Sequence, residues 1–164
     1  MRGNRSIVAN LLRYLKQDRI LVRMGARKKV EAIRELAGLL EDAPEISAFR
    51  QFLSVMVQKE LRFGSGVGDG VAIPHYRDET IEEPVIGLGV SRNGIEWGEG
   101  ERVSIVVLIG WPNKHDQAYL KTVAEIARLL HEAPVRQALL KADSEIEVLE
   151  ILKEALVKPE SVSC

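Results

Sequence analysis

Two runs, "PVIGLGVS" (residues 84–91) and "RVSIVVLIGW" (residues 102–111), are apolar at nearly every position rather than at every second one. A strand with one face open to water alternates apolar and polar side chains, whereas a continuously apolar strand is covered on both faces. β-branched residues are frequent in both runs, which favours the pleated conformation over the helical one. The two runs are therefore expected to form the centre of a sheet with a layer packed against each side. Between them, "RNGIEWGEGE" carries Asn93-Gly94, a dipeptide suited to a tight hairpin turn, and makes the two runs sheet neighbours.

The covering layers are legible on either side of this centre. In "KKVEAIRELAGLLED", Val30, Ile33, Leu36 or Ala37, and Leu40 recur at helical spacing with charges on the opposite face. After a turn at Ala43-Pro44, "EISAFRQFLSVMVQKEL" repeats the pattern through Ile46, Phe49, Phe52 or Leu53, and Met56, and this helix ends before Gly64. Downstream, "DQAYLKTVAEIARLLHE" is amphipathic through Leu120, Val123 or Ala124, Ala127 and Leu130. Two shorter helices follow. "PVRQALLKA" has Pro134 in its first turn, and "SEIEVLEILKEAL" has Asp143-Ser144 as capping residues. Up to Leu15 a short helix is expected, and "RILVRM", closed by Gly25, reads as a further strand. The fold class expected is α/β, a small mixed β-sheet sandwiched by helices. At 164 residues the chain suits one domain, residues 1–164.

Charge and cysteine usage exclude several functions. The formal net charge is −1 with acids and bases interleaved, so neither a nucleic-acid footprint nor a polybasic membrane patch is expected. No apolar run approaches the roughly 20 residues that cross a bilayer. The start, "MRGNRSIVANLLRYLKQDRI", is interrupted by Arg13, Lys16, Gln17 and Asp18 where a signal peptide would be apolar. The single cysteine is Cys164, which leaves no intramolecular disulfide framework and suits a reducing cytoplasm. A cytoplasmic protein is expected.

Chemistry concentrates in "GSGVGDGVAIPHYRD" (residues 64–78), where glycines at 64, 66, 68 and 70 precede an apolar run, a proline and His75. Imidazole titrates near neutrality, so its bare nitrogen can attack a phosphoryl group and release it again. The phosphoryl oxygens then need donors. Backbone N–H groups of a glycine-rich turn can form an anion-binding concavity, with Ser65 adding a hydroxyl and Lys59 or Arg77 a positive charge. The same residues also fit a tight chain crossing with His75 as a strand-terminal surface residue. Asp69, Asp78 and Glu79 flank the histidine, but three acids without a second convergent ligand make a poor metal site, and solvation is expected for them. His131 ends a helix, where a cation complements the dipole. Trp97 and Trp111 are assigned to the core, and the basic residues of "VRMGARKK" form a local positive patch that fits an acidic partner or a solvated helix start equally well.

The string "GSGVGDGVAIPH" resembles the active-site segment of the type-2 enzyme IIA domains, the fructose–mannitol and nitrogen-regulatory family of the bacterial phosphoenolpyruvate-dependent phosphotransferase system. The likeness extends to Lys59-Glu60 ahead of the glycines and to "YLKTVAEIARLL", similar to the family's "HLxxLxxLA" helix, and covers a core of about residues 18–156. It implies a phosphotransferase/anion-transport-protein-like fold with His75 as the phosphorylated nucleophile, supported by Lys59, Ser65 and Tyr119. It further implies the histidine phosphocarrier protein as phosphoryl donor and a IIB domain as acceptor, usually through cysteine. No metal or organic cofactor is implied, and no contact with a membrane beyond a peripheral one with a permease. The sequence departs from the family pattern at three positions. Lys59 stands for the usual arginine and loses its bidentate phosphate geometry. Tyr119 stands for a second histidine, with His115 four residues earlier as a substitute if the helix reaches back to it. Ser65 stands for threonine and keeps the hydroxyl. The alternatives carried with this resemblance are a nitrogen-regulatory role, in which phosphorylation switches binding to target proteins, and a non-catalytic binding module.

Overall fold

The computed structural model describes residues 10–114 and 116–157. Residues 10–14 are helical and lead directly into strand β1 (Leu15–Leu21). Two helices follow, α1 (Lys29–Ala37) and α2 (Phe49–Phe63). The glycine-rich segment supplies three short strands, β2 (Gly66–Gly68), β3 (Val71–Ala72) and β4 (His75–Asp78). The long strands β5 (Val85–Gly98) and β6 (Glu101–Pro112) come next, then helices α3 (Gln117–His131), α4 (Ala133–Lys141) and α5 (Glu145–Val157).

The two apolar runs are antiparallel neighbours at the middle of one mixed sheet of order β1-β5-β6-β3-β2, with β4 also paired to β6. β1 runs parallel to β5, and both β3 and β4 run parallel to β6. β3 and β4 are in effect one strand interrupted at Ile73-Pro74. Proline has no N–H to give to a ladder, but its carbonyl still accepts from the Ile109 N–H at 2.8 Å, which keeps the interrupted strand on β6. The interruption delivers His75 at the first position of β4.

Both sheet faces are covered, as continuous apolar runs require. Along β6, Ile105, Val107 and Ile109 face a core built with Ile126, Leu130, Leu139, Val148 and Leu152 of α3, α4 and α5. Val106 and Leu108 face the opposite core, built with Ile33 and Leu36 of α1 and Phe52 and Met56 of α2. The alternation of adjacent side chains between two cores is the period-two rule of a strand. Both tryptophans are buried, as expected.

Four boundaries differ from expectation, each for a local reason. The helix read over residues 28–42 ends at Ala37 and tightens into a 3-10 turn, Gly38–Leu40, beginning at its glycine. The next helix starts at Phe49, because Ile46 is drawn into a bridge with Ile81, and it stops at Gly64, whose φ of 74° leaves the helical region. β1 lies earlier than "RILVRM", although Met24 N–H still donates to the Val90 carbonyl at 2.8 Å, alongside β5. Finally, Asn93-Gly94 does not form the hairpin turn. β5 runs through it and the chain reverses at Glu99-Gly100, with Gly100 at φ 73°. Asn93-Gly94 sits where the register shifts between Val90 and Ile95, with Gly94 at φ 81° and its N–H donating to Ser91 Oγ at 3.1 Å. The left-handed preference that suits a hairpin turn serves a β-bulge here. Ser144 caps α5 by accepting from Glu147 N–H at 3.1 Å, and Glu147 reaches back to the N–H of Asp143, one residue before the position a capping box uses. Among the described residues, no helix is long and apolar enough to cross a membrane.

Candidate active site

His75 is half-buried, and its Nδ1 lies 2.7 Å from the carbonyl oxygen of Ile73. A carbonyl oxygen only accepts, so Nδ1 carries the proton and, in the neutral ring, Nε2 is left as a bare lone pair. The ring borders a cleft of about 210 Å³. The C-terminal part of α2 forms one wall with Met56, Lys59, Glu60 and Phe63. Gly64 and Ser65 lie at its mouth, and Tyr119 of α3 closes the other side.

Ile73 ties this cleft together, because its N–H donates to the Ser65 carbonyl at 2.9 Å while its own carbonyl holds His75. The remaining glycines do something other than the cradle expected of them. β2 and β3 form a hairpin whose turn is Asp69-Gly70, with φ 57° and 75°, the left-handed pair a two-residue primed turn needs. Of the segment's glycines, Gly64 alone lines the His75 cleft. Gly68 lines a separate cavity with Asp69 and His131, and Gly66 is covered by Glu101, whose carboxylate occupies the space a Cβ would need. The anion-binding capacity beside His75 therefore rests on side chains together with Gly64 and Ser65 at the cleft mouth.

Tyr119 is one of them. Its ring is buried, with its centroid 5.9 Å from that of His75 and 5.9 Å from that of Trp111. Burial pushes its hydroxyl up to about 12, against the pull of Arg77, so it stays a neutral donor throughout the physiological range. Arg77 follows His75 by two residues on β4, which puts the two side chains on one face, and its guanidinium lies over the Tyr119 ring at 5.4 Å. Tyr119 is held in turn by the start of α3. Asp116 Oδ1 caps the helix by accepting from Ala118 N–H at 2.9 Å, and Oδ2 accepts from the Trp111 indole at 3.1 Å. Lys59 is exposed, with its ammonium 4.7 Å from the Tyr76 ring centroid.

Glu60 is only 3% exposed, and the Ser65 hydroxyl donates to its Oε1 in a short contact. Its Oε2 has no hydrogen-bond partner among the described residues, and neither does the buried indole N–H of Trp97. Burial pushes the Glu60 carboxyl above its ordinary range. Ser65, Lys29 and Trp97 pull it back, and Glu101 adds to the rise. The indole is thus near enough to act on the carboxylate without reaching hydrogen-bond geometry. The sequence did carry a signal for this group: Phe52, Met56 and Glu60 are spaced by four, which puts an acid on the apolar stripe of α2.

The flanking acids and His131 stand apart from the cleft. Asp69 pairs with His131, and Arg136 lies 3.9 Å from the same carboxylate, so Asp69 is not simply solvated and His131 does more than complement a helix end. Asp78 accepts from the Thr80 N–H at 3.2 Å, and Glu79 is exposed. His115 lies outside the described residues. Among those described, no group of three or more His, Cys, Asp or Glu side chains is placed to hold a metal ion. What borders the cleft is an imidazole whose Nε2 is bare in the neutral ring, with Tyr119, Ser65 and Lys59 among its lining residues and Arg77 beyond them over the Tyr119 ring, an arrangement suited to accepting a phosphoryl group.

Comparison with known proteins agrees with this chemistry. A family model described as "Phosphoenolpyruvate-dependent sugar phosphotransferase system, EIIA 2" matches residues 13–155. A relative named "PTS system fructose-specific EIIABC component" from Bacillus subtilis is 23% identical over 85% of this chain, which spans 22% of that longer protein. Among solved structures, nitrogen regulatory protein IIA-Ntr from Neisseria meningitidis matches 85% of this chain and 97% of its own, with a TM-score of 0.77 and 22% identity. The complex of enzyme IIAMTL and phosphorylated enzyme IIBMTL from Escherichia coli matches 85% of this chain and 99% of its matched chain, with a TM-score of 0.73 and 19% identity.

Proposed function

The chain belongs to the EIIA type-2 family of the phosphoenolpyruvate-dependent sugar phosphotransferase system, and on that premise we propose that it carries phosphoryl groups on Nε2 of His75. Components of this family mediate phosphoryl transfer, and residues 13–155 are read as one such domain. The observation that carries the assignment is the bond from His75 Nδ1 to Ile73, which fixes the tautomer and leaves Nε2 as the nucleophile beside the cleft. The Tyr119 hydroxyl, the Ser65 hydroxyl and the cations of Lys59 and Arg77 stabilise the charge spread over the phosphoryl oxygens as the group is exchanged. The chemistry needs positioning and electrostatics rather than a metal or an organic cofactor.

The phosphoryl donor is the histidine phosphocarrier protein, and the acceptor is a IIB domain, the class of partner named in the Escherichia coli complex. Phe63, 72% exposed on the cleft wall, and Leu120, 64% exposed beside Tyr119, give a protein partner an apolar rim to dock against. Tyr119 favours a second reading, a regulatory carrier. A donor that stays neutral near physiological pH holds a phosphoryl group without supplying the charge that would speed its departure.

The test is to incubate the protein with phosphoenolpyruvate, the general phosphotransferase enzyme and the phosphocarrier protein, and to follow intact mass. A phosphate-sized, acid-labile adduct on the wild type and none on His75→Ala is expected. A wild type that stays unlabelled while a control IIA is labelled in the same mixture would overturn the assignment in favour of a binding module.

A further inference from the structure

Glu60 is a buried titratable group that phosphoryl transfer as described above does not use, and it shares the His75 cleft with Ser65. We propose that Glu60 is a positioning residue that takes up one proton when His75 is phosphorylated and thereby turns the Ser65 hydroxyl from Glu60 toward the phosphoryl group. This rests on the carrier assignment and deepens it.

An ionised carboxylate only accepts, so in the unphosphorylated protein Ser65 must spend its single proton on Glu60 Oε1. A Ser65 hydroxyl so engaged offers lone pairs, not a hydrogen, to anything in the cleft. That is the wrong polarity for phosphoryl oxygens. Protonating Glu60 at Oε1 reverses the bond, because the carboxylic acid now donates to Ser65 Oγ and the serine hydrogen is free to swing toward an oxygen on His75.

The surroundings of Glu60 make this reversal accessible. Its Oε2 has no hydrogen-bond partner among the described residues, so the ionised form is poorly satisfied for a group 3% exposed. The charged and polar groups acting on it come from several elements: Lys29 at the start of α1, Trp97 on β5, Glu101 on β6 and Ser65 before β2, with Lys59 next to it on α2. Of these, Glu101 repels the carboxylate and Lys29 attracts it. Burial already holds the Glu60 carboxyl above its ordinary range. A phosphoryl group brings about two negative charges to the cleft, and with the Nδ1 hydrogen retained the ring carries one positive charge, so the site gains about one net negative charge, which raises the proton affinity of Glu60 further. Ser65 is half-buried at the cleft mouth and both donates and accepts, so it can relay the proton from cleft water to Oε1.

The step balances simply. The N–P bond of the donor phosphohistidine breaks, the N–P bond to His75 Nε2 forms, and one proton passes from solvent to Glu60. His75 keeps its Nδ1 hydrogen on Ile73. Because phosphorylation takes up a proton, low pH favours it. Between the affinities of Glu60 in the two states, the phosphorylation equilibrium falls by up to about tenfold per pH unit as pH rises.

The experiment measures the phosphorylated fraction by intact mass at equilibrium with the phosphocarrier protein, across about pH 5 to 8, for the wild type and Glu60→Gln. Contributions of the phosphocarrier itself are common to both, so the difference in slope isolates Glu60. The expected result is a fall with pH that is steeper in the wild type by up to tenfold per unit, with Glu60→Gln, whose amide donates to Ser65 permanently, phosphorylated at least as fully at high pH. An infrared difference spectrum of the wild type supplies a readout independent of any variant, and phosphorylation should add the carbonyl band of a protonated carboxylic acid. Equal slopes, or a spectrum without that band, would overturn the inference while the adduct itself upheld the carrier assignment. A wild type that takes no phosphoryl group at all would remove both.

Discussion

The imidazole of His75 points its Nδ1 hydrogen back at the carbonyl of Ile73, two residues earlier, at 2.7 Å. The ring is thereby fixed both in rotation and in tautomer. The phosphoryl group is therefore expected on Nε2, with Nδ1 remaining protonated. Nitrogen-15 labelling of the histidines and phosphorus–nitrogen coupling in the phosphorylated protein would check this. Coupling at the ring nitrogen nearer the backbone would contradict it.

Burial keeps the Tyr119 hydroxyl neutral, so as a donor to a phosphoryl group it would not make transfer titrate. Tyr119→Phe keeps the ring stack on His75 and Trp111 but removes the hydroxyl. Loss of one hydrogen bond to a charged group, about 1.5 kcal/mol, is expected to shorten the lifetime of the phosphorylated form about tenfold. Tyr119→His should instead introduce a new pH dependence of transfer near about 6.5, absent from this position in the wild type. Both follow from dephosphorylation and transfer rates measured against pH.

Arg77 is exposed, so removing it leaves the core untouched. Arg77→Ala should change folding stability by no more than about 0.5 kcal/mol, while slowing phosphoryl acceptance by about tenfold, the effect of one charge-assisted contact. Arg77→Lys should recover part of the rate, because the charge returns without the planar fork. Quenched transfer assays at low and high salt would show the wild-type advantage shrinking as salt rises.

Asp116 joins two jobs, capping α3 and accepting from Trp111. Asp116→Ala should cost about 1–2 kcal/mol in urea unfolding, in the range of a lost cap. It should also lower transfer, since Tyr119 sits on the first turn it anchors. Asp116→Asn keeps an oxygen for the cap and should restore most of the stability.

Away from the cleft, Arg19 of β1 and Glu45 form a mostly buried pair, with Nη2 donating to Oε1 at 2.9 Å and Nη1 2.6 Å from Oε2. The Arg19 hydrogen bond holds the Glu45 carboxyl below its ordinary value of 4.5, assisted by Lys16. A depressed carboxyl contributes stability that is fully present above that ordinary value and is lost as pH falls through the folded-state value. Glu45→Gln should therefore lose about 3 kcal/mol near neutral pH, by leaving Arg19 buried without its counter-charge. It should also flatten the acid limb of the unfolding profile. Denaturant midpoints between about pH 3 and 7 would report both effects.

The architecture was legible where one physical requirement dominates. Consecutive apolar residues at 84–91 and 102–111 admit little besides a doubly covered sheet centre, and that is where β5 and β6 lie. Local turn preference proved less decisive. Asn93-Gly94 supplies a left-handed residue, but a bulge within a strand uses it as readily as a turn between strands. The glycines after residue 64 fit a phosphate cradle or a tight chain crossing equally by spacing, and the structure takes the second course, with Asp69-Gly70 building a hairpin turn. His75 is singled out by its neighbours in sequence. The tie through Ile73 and the contact between Glu60 and Ser65 depend on how the chain folds back at residue 65, which no spacing expresses.

The two tryptophans divide the cleft between them: Trp111 touches it through the ring of Tyr119, and Trp97 is buried among the groups that act on Glu60. Indole emission responds to charge in its surroundings, and buried surroundings screen that charge weakly. The chain thus contains its own pair of optical reporters, one for the His75 side of the cleft and one for the carboxylate behind it. With either indole replaced by phenylalanine, the light emitted by the other would follow one half of the cleft alone, in real time and without an attached dye.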